Sequence, residues 1–316
     1  MPGAVFVNGR ITTEADAVVP VFDHGFLYGE GVYEVCRTYH GQPFLLDRHL
    51  TRLRASAGLI ALPVPYDDRS FSAHIGATME AAGLLPWKPG GQDAYIRLLL
   101  TRGVGELTYD PAACTTPTLV IIARPHQPPP LRVYDEGVNV AIVPIQRNAP
   151  EALNPLIKSN NLLNNALAMQ HALAEGGFEA VMRNHLGELA ECSQSNLFVV
   201  RRGEVLTPPL RAGLLAGITR QLVLEICEDE RMPSNERALH DAELFEADEA
   251  FLTSSTREIV PIVRVDGKAI GTGRPGPVTA RLREAFQARV EAYVRAGVSS
   301  AYSSTGGHTH IRLRSP

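Results

Sequence analysis

The chain has 316 residues, of which 45% are hydrophobic and 20% charged, and its formal net charge is −4. This length suits one large or two medium domains, at roughly 100 to 200 residues per domain. No segment offers the roughly 18 uncharged apolar residues that a membrane helix needs. A negative net charge without a basic face argues against nucleic acid as the main partner, so we expect small-molecule partners.

The four cysteines stand singly, without CxxC spacing or the density of a disulfide-stabilised secreted domain, which indicates reduced thiols. The N-terminus, MPGAVFVNGR, lacks the basic and then apolar stretch of a signal peptide. These two features together predict a cytoplasmic location.

The first part of the chain predicts a sheet covered by helices. Asn-Gly in VFVNGRI (5–11) and His-Gly in GVYEVCRTYHGQPFLL (31–46) are hairpin signals between alternating apolar residues. Apolar residues near helical spacing predict helices over 47–60 and 70–82. AYIRLLLT (94–101) and TLVIIA (118–123) are typical of buried strands. We therefore predict an α+β N-terminal domain over residues 1–123.

The second part begins after a proline-rich segment. RPHQPPPLR (124–132) has four prolines in nine residues and can continue neither a helix nor a central strand, so we predict an interdomain linker there. We expect a larger domain over 133–296, with strands at 138–145, 196–200 and 250–254 and helices at 161–175, 218–229 and 279–296. Residues 297–316 lose all periodicity and predict a flexible tail. His308 and His310 in that tail are expected to be solvated, and no metal site is predicted.

Lysine is scarce in this sequence. Of 30 basic residues only three are lysines, and Lys88 and Lys268 fall in Pro-Gly and Asp-Gly turns that predict surface positions. Lys158 instead stands in NPLIKSNNLLNNALA, before an apolar helical pattern and among four asparagines. Lysines in surroundings that disfavour the ammonium form attack carbonyl groups and form Schiff bases. Lys158 is the candidate for such chemistry, although alone it also fits an ordinary lysine at a helix start.

Three further stretches could serve an anionic ligand with a ring nitrogen. Gly217 precedes a helix whose first amides, from Ile218 and Thr219, would be unpaired and suited to a phosphate. A run of hydroxyl residues, 254–256, follows a buried strand and could add donors, although such a run is usually a turn. Glu191 beside an apolar strand needs a cationic partner, and a protonated pyridine nitrogen would be one.

One formal motif is set aside. GTGRPG (271–276) satisfies GxGxxG, but it follows a short hairpin, contains Pro275 and lacks the later acidic residue of a dinucleotide fold.

Six motifs in chain order resemble the class IV aminotransferases, the fold type IV group of pyridoxal-phosphate enzymes. They are FDHGFLYGEGVYE (22–34), HLTRLRASA (49–57), IKSNNLLNNALA (157–168), ELAECSQSNLFVV (188–200), LLAGITR (214–220) and LTSSTREIVPI (252–262). The resemblance runs from about residue 4 to residue 295. It implies an α+β fold with a small N-terminal α/β domain and a larger C-terminal α/β-barrel-like domain. It also implies at least a homodimer.

The resemblance assigns roles to matching positions. Lys158 matches the Schiff-base lysine, and Glu191 matches the acid that pairs with the pyridine nitrogen. The other cofactor-side matches are Arg52 for the phosphate, Leu215 for the ring, and Gly217, Ile218, Thr219, Ser255 and Thr256 for the phosphate-side helix start and loop. The substrate-side matches are Tyr33, Arg37, Tyr95, Arg97 and Thr256.

The implied reaction is transamination between an amino acid and 2-oxoglutarate. Tyr95, Arg97 and Arg37 favour an L-branched-chain amino acid. VYEVCR in place of VFEGIR, and Leu162 in place of a tyrosine, instead resemble the D-amino acid aminotransferases. ECSQSNLF has a slight similarity to the aminodeoxychorismate lyases. A non-catalytic homologue is the remaining alternative, which the retention of Lys158, Glu191 and Arg52 disfavours.

Overall fold

The computed structural model describes residues 3–302, the last five of them by their helical backbone alone. Within this range, alternating apolar residues of the first part of the chain form six strands. These are β1 (Ala4–Val7), β2 (Arg10–Thr13), β3 (Gly31–Tyr39), β4 (Gln42–Pro43), β5 (Ala94–Thr101) and β6 (Thr118–Pro125). They make one antiparallel sheet in the order β2-β1-β6-β5-β3-β4.

The two faces of this six-stranded sheet differ. One is covered by α2 (Leu46–Leu59) and α3 (Asp68–Ala81), which bury a core that includes Leu53, Phe71 and Ile96. Successive side chains of a strand point to opposite faces, so Tyr33 and Arg97 lie on the other face, where they are half-buried. A short helix, α1 (His24–Leu27), precedes β3. The uncovered face of β3 and β5 forms one wall of the candidate site.

The second part of the chain, as far as residue 302, forms a nine-stranded sheet. Its strands are β7 (Val138–Ile142), β8 (Glu179–Arg183), β9 (Leu189–Cys192), β10 (Asn196–Arg201), β11 (Glu204–Thr207), β12 (Ser234–Glu236), β13 (Glu249–Ser254), β14 (Glu258–Val265) and β15 (Lys268–Ala269). The order is β12-β11-β10-β13-β14-β7-β8-β9, and β15 pairs with β14. Four strands separate β10 from β9 in this order, yet the two are in contact. The sheet is therefore curled into a half-barrel.

Helices cover the outside of the curled sheet. The elements are α4 (Arg132–Asp135), α5 (Leu163–Ala174), α6 (Ile218–Asp229), α7 (Asp241–Phe245) and α8 (Pro277–Tyr302). The predicted apolar stripe of the last helix is confirmed, because Leu282, Phe286, Val290 and Val294 are all buried. They pack with α6 against Phe251 of β13. This packing fixes the start of α6 against the sheet.

Most predicted elements agree with the structure within two residues; two differ more, and β6 differs by two at the predicted linker. The strand predicted over 138–145 ends at Ile142. β6 continues to Pro125, two residues into the predicted linker, because Arg124 and Pro125 still pair with β5. α8 continues to Tyr302, past the predicted start of the tail at 297, since one glycine costs a helix only about 1 kcal/mol.

Two predictions about chain organisation stay open. Residues 303–316 of the predicted tail, with His308 and His310, lie outside the described residues. The division into two domains at 124–132 stays a prediction.

Candidate active site

A cavity of about 650 Å³ lies between the uncovered face of the six-stranded sheet and the half-barrel. This volume is in the ordinary range for a small-molecule or cofactor site. Every site residue predicted from the sequence except Arg37 lines it. They are Tyr33, Arg52, Tyr95, Arg97, Lys158, Glu191, Leu215, Gly217, Ile218, Thr219, Ser255 and Thr256.

Lys158 lies on an extended segment held against the edge of β3. Its carbonyl accepts from the Tyr33 amide at 2.9 Å, and its amide donates to the Ser56 hydroxyl at 3.1 Å. The amide of Asn160 donates to the Gly31 carbonyl at 2.9 Å. A Cβ at Gly31 would lie 2.5 Å from the Asn160 side chain, so this close approach requires glycine. The backbone on both sides of Lys158 is thereby fixed.

The amine of Lys158 lies in the cavity, with Nζ 4.4 Å from the centroid of the Tyr33 ring. Helix α5 begins at Leu163, five residues later, so Lys158 belongs to the segment before the helix. Two of the neighbouring asparagines attach that helix to the half-barrel: Asn164 donates to the Gln146 carbonyl and Asn165 to the Ser193 carbonyl, each at 2.8 Å. The asparagine run thus has a structural role beside the lysine.

A candidate anion site lies where α2 meets the start of α6. Gly217 is the N-cap of α6 and no side chain caps the helix, which leaves its first amides open towards the cavity. Arg52 donates from Nη1 to the Ala216 carbonyl at 2.8 Å, so its guanidinium lies beside this helix start. Ser255 and Thr256 line the same cavity. Amides, hydroxyls and a guanidinium together suit a phosphate.

Arg52 is held by a buried carboxylate that the sequence patterns did not identify. Its Nε and Nη2 donate to the two oxygens of Glu34 at 2.6 and 2.7 Å, and Nδ1 of His49 lies 2.7 Å from the same carboxylate. Burial raises the pKa of Glu34, but the Arg52 charge and the hydrogen bonds of Arg52 and His49 hold it well below its usual range. Burial also lowers the pKa of His49. Glu34 therefore stays ionised and fixes the arginine.

A spacing signal could have found this cluster. His49, Arg52 and Ser56 follow i, i+3, i+7 spacing on α2, the spacing of one helix face. His49 and Ser56 are buried and Arg52 half-buried, so polar side chains occupy the face turned to the protein interior.

Glu191 is matched by an arginine, which the sequence patterns also missed. Its Oε1 accepts from Nε of Arg147 at 2.7 Å and its Oε2 from the Leu215 amide at 3.0 Å. Arg147 also donates to Asn164 at 3.1 Å, and both charged side chains are less than a tenth exposed. The carboxylate is thus matched in charge, oriented and placed in the cavity wall.

Tyr33 is the centre of a cationic group on the six-stranded sheet. The guanidinium of Arg97 lies 4.3 Å from its ring centroid, close to the distance of Lys158 Nζ from the same ring. Among the described residues Arg97 has no carboxylate within salt-bridge distance, in contrast to Arg52 and Arg147. Arg97 therefore offers an uncompensated charge to an anionic ligand.

Arg37, which the family resemblance assigns to the substrate side, does not line the cavity, and its substrate role stays a prediction. Arg37 lies on the same sheet face as Tyr33, but its Nη1 donates to Glu258 at 3.1 Å and its guanidinium lies 4.2 Å from the Tyr39 ring centroid. Its Nη2 also lies 3.8 Å from Asp93. These partners draw the side chain away from the cavity, which it does not line.

The cavity wall fits a phosphorylated aromatic cofactor. The cavity offers the α6 amides, the Arg52 guanidinium, the hydroxyls of Ser255 and Thr256, and the Glu191 carboxylate. The hydroxyl of Thr253, a lining residue, is buried without a protein partner. A Cβ at Gly217 would clash with the Asn196 amide oxygen at 1.8 Å, so only glycine fits at this start of the helix. Charge, donors and space are complementary to such a group.

Comparison with protein families decides what kind of site this is. The family model described as amino-transferase class IV matches residues 31–265. The chain belongs to the class IV aminotransferase family. The predicted α+β, fold type IV architecture and the predicted aminotransferase class are thereby confirmed.

Individual relatives of this aminotransferase fall into two groups. A protein of Methanocaldococcus jannaschii named "Putative branched-chain-amino-acid aminotransferase" is 38% identical over 90% of this chain and 95% of its own length. The D-alanine aminotransferase of Bacillus licheniformis is 33% identical, with the same coverage. Among solved structures, the branched-chain aminotransferase of Thermoproteus uzoniensis with norvaline has a TM-score of 0.83 and 33% identity, covering 92% of this chain and 95% of that one.

Two absences hold for the described residues. No helix in residues 3–302 combines the length and the apolar character needed to cross a membrane. Nor do His, Cys, Asp and Glu side chains in this range form a group of three or more that could hold a metal ion.

Proposed function

We propose that this aminotransferase uses pyridoxal 5'-phosphate to exchange amino groups between an L-branched-chain amino acid and 2-oxoglutarate. The observation that carries the proposal is the position of Lys158. Of the three lysines in the sequence it is the one that lines the cavity, together with the anion site at the start of α6 and the Glu191 carboxylate. The amine, the phosphate site and the acid are therefore parts of one cavity.

When bound, pyridoxal phosphate supplies a carbonyl carbon that takes up the amino group and a protonated ring that withdraws electrons from the substrate. Lys158 would hold it through Nζ, and Arg52, Ile218, Thr219, Ser255 and Thr256 would hold its phosphate. Leu215 would pack on its ring. Glu191 would keep the ring nitrogen protonated, and the bond from Arg147 holds Glu191 in place for this role.

The amine of Lys158 has the second chemical role. Once neutral, Nζ could accept the proton from the substrate α-carbon and return it to the carbon that was the carbonyl carbon of the cofactor. The fixed backbone on both sides of Lys158 limits the arc through which the amine moves. The Tyr33 ring, with its centroid 4.4 Å from Nζ, forms one side of this space.

The substrate side is supported by charge. Arg97 is the cavity arginine without a carboxylate partner in the described part of the chain, and it is available to the distal carboxylate of glutamate or 2-oxoglutarate. Tyr33, Val35, Tyr95 and Leu153 offer aromatic and aliphatic surface in the same cavity for a branched side chain. We assign Tyr33, Tyr95, Arg97 and Thr256 to substrate binding on this basis.

A second candidate is transamination of D-amino acids. The similarity to a D-alanine aminotransferase at 33% identity favours it, and so does Leu162, which lines the cavity where the branched-chain group has a tyrosine. The two candidates differ in the hand of the substrate. They share the cofactor site described above.

A stereochemical assay separates the candidates. The protein would be incubated with pyridoxal phosphate, 2-oxoglutarate and either L-leucine or D-alanine, and the hand of the glutamate formed would be determined by chiral chromatography. L-Glutamate from L-leucine supports our proposal, whereas D-glutamate from D-alanine supports the second candidate. Pyruvate released from aminodeoxychorismate would identify a lyase and contradict both. Absence of any amino transfer or release would indicate a non-catalytic homologue.

We further propose that the protein is a homodimer. Two adjoining segments expose large apolar side chains. Phe22, just before α1, and Phe26, on α1, are 51% and 72% exposed, and Leu107 and Tyr109 are 67% and 81% exposed. The segments are joined by a bridge between Asp23 and Val104. A contiguous apolar surface of this kind is typical of an interface. The expected cytoplasmic location stays a prediction.

A further inference from the structure

Two turns lie side by side in the wall of the cavity. Residues 193–195 join β9 to β10, and residues 255–257 join β13 to β14. Both turns line the cavity. The strands β10 and β13 are paired as far as Asn196 and Thr253, so the turns extend beyond the last pair of the ladder. Side-chain contacts can therefore contribute to the distance between the two turns.

Arg257 connects the turns. Its Nη2 donates to the Ser195 hydroxyl at 2.7 Å and lies 2.9 Å from a Glu179 carboxylate oxygen, and its Nε donates to the Ser254 hydroxyl at 3.3 Å. Glu179, at the start of β8, also accepts from the Ser195 hydroxyl at 3.1 Å and from the Gln194 amide. One ion pair thus joins β8 and both turns.

The burial of this pair makes it rigid. The Glu179 side chain is fully buried and that of Arg257 is 14% exposed. A buried carboxylate is retained in ionised form only where a cation and hydrogen-bond donors match it. Because Glu179 matches its charge, Arg257 contributes position and little net charge, in contrast to Arg97.

Arg257 fixes the position of two hydrogen-bond donors in the cavity. Ser255 and Thr256 directly precede it and carry hydroxyls into the cavity. The turn 255–257 lies outside the strand ladder, which ends at Ser254 and Glu258. An anionic group bound there would take its hydrogen bonds from this turn, and the geometry would depend on the anchor at Arg257.

We propose that Arg257 is a positioning residue for the amino acid substrate, acting with Glu179 through the turns 193–195 and 255–257. The inference rests on the transamination proposed above and deepens it. It predicts that loss of the pair weakens substrate binding and leaves the chemical step nearly unchanged, because neither side chain moves a proton.

The test compares variants of the holoenzyme. With pyridoxal phosphate at saturating concentration, we expect Arg257→Ala and Glu179→Gln to raise the KM for the amino donor at least about tenfold, with kcat within about threefold of the parent. Arg257→Lys keeps the positive charge but loses the planar guanidinium that donates from two nitrogens, and it should give an intermediate KM. The control is Arg183→Ala, which removes a bidentate pair with Asp241 at the other end of β8 and away from the cavity. Its KM should stay within about twofold of the parent.

A double variant separates the effect on substrate binding from misfolding. Glu179→Gln with Arg257→Gln leaves no unmatched buried charge, and we expect it to fold and to show the same raised KM. With saturating pyridoxal phosphate, an unchanged KM in a folded single or double variant would overturn the inference, as would a fall in kcat at constant KM. If the parent holoenzyme itself transfers no amino group, the proposed function fails instead, so the two failures are distinguishable.

Discussion

Arg147 Nε lies 2.7 Å from Oε1 of Glu191, and the other oxygen of that carboxylate accepts from the Leu215 amide. The acid expected to face a ring nitrogen is therefore already paired with a cation in the protein. This pairing resolves the problem of a carboxylate beside an apolar strand, and it orients Glu191 towards the cavity.

The first prediction concerns this pair. Arg147→Gln should lower kcat by about 10-fold to 100-fold, because a hydrogen bond to a charged group is worth about 1.5–3 kcal/mol. The KM for the amino donor should change much less. Steady-state kinetics of the holoenzyme measure both constants. A variant with the parent kcat would show that Glu191 needs no partner for its role.

The second prediction concerns the Glu34 and Arg52 pair. Glu34→Gln should lower the free energy of unfolding by about 3–5 kcal/mol, since it leaves Arg52 unmatched at a site that is 12% exposed. Urea denaturation of the protein without added cofactor measures this. The control is Arg54→Ala, which removes an exposed pair with Asp68 and should cost less than about 1 kcal/mol. Equal losses of unfolding free energy in Glu34→Gln and Arg54→Ala would show that burial does not make the Glu34 and Arg52 pair more important for stability than an exposed pair.

The third prediction is a pH dependence from His126. Burial and then the Arg37 charge lower the pKa of His126 from 6.5 to about 4, and its Nε2 has no protein partner. Between about pH 6.5 and about pH 4, His126 is therefore protonated in the unfolded chain and neutral in the folded chain. The contribution of His126 to the free energy of unfolding is complete above about pH 6.5 and is lost as the pH falls towards about 4. The total loss is on the order of 3 kcal/mol.

The His126→Gln variant isolates that contribution. The difference in unfolding free energy between parent and variant should change in the variant's favour as the pH falls from about 7 to about 4.5, measured by urea denaturation at each pH. A difference that stays constant over this interval would show that His126 titrates alike in both states. Other titrating groups cancel in the comparison.

The fourth prediction concerns the exposed apolar side chains on and near α1. Phe26→Asp should shift the protein from dimer to monomer in light scattering, because Phe26 is 72% exposed and a charge there would be desolvated in an interface. Leu173→Asp, at an exposed position on α5, serves as the control and should leave the mass unchanged. A parent protein that is monomeric at micromolar concentration would contradict the proposed dimer.

Periodicity in the sequence was sufficient for the regular elements. The predicted bounds of β5 and α6 are those of the structure, because each has a single strong apolar pattern and clear ends. The positions carried over from the family resemblance also lie together in one cavity, Arg37 excepted. Local pattern and an ordered set of motifs therefore predicted the fold and twelve of the residues that line the cavity.

The remaining features depend on pairs far apart in the chain. Arg37 contacts Glu258 across 221 positions, and Arg147 contacts Glu191 across 44. Nothing in a local sequence indicates which of 34 acidic residues will match a given arginine. The choice is made by packing and burial, which bring the ends of separate strands together. Charge pairing in the cavity wall was therefore found only in the structure.

Covalent attachment of the cofactor at Lys158 is the central claim, and peptide mapping tests it most directly. The holoenzyme would be reduced with borohydride, digested and analysed by mass spectrometry for phosphopyridoxyl-lysine. We predict modification of the peptide that carries Lys158, with the peptides of Lys88 and Lys268 unmodified. An unmodified Lys158 in a protein that retains the cofactor band, or a Lys158→Ala variant with full turnover, would contradict the account.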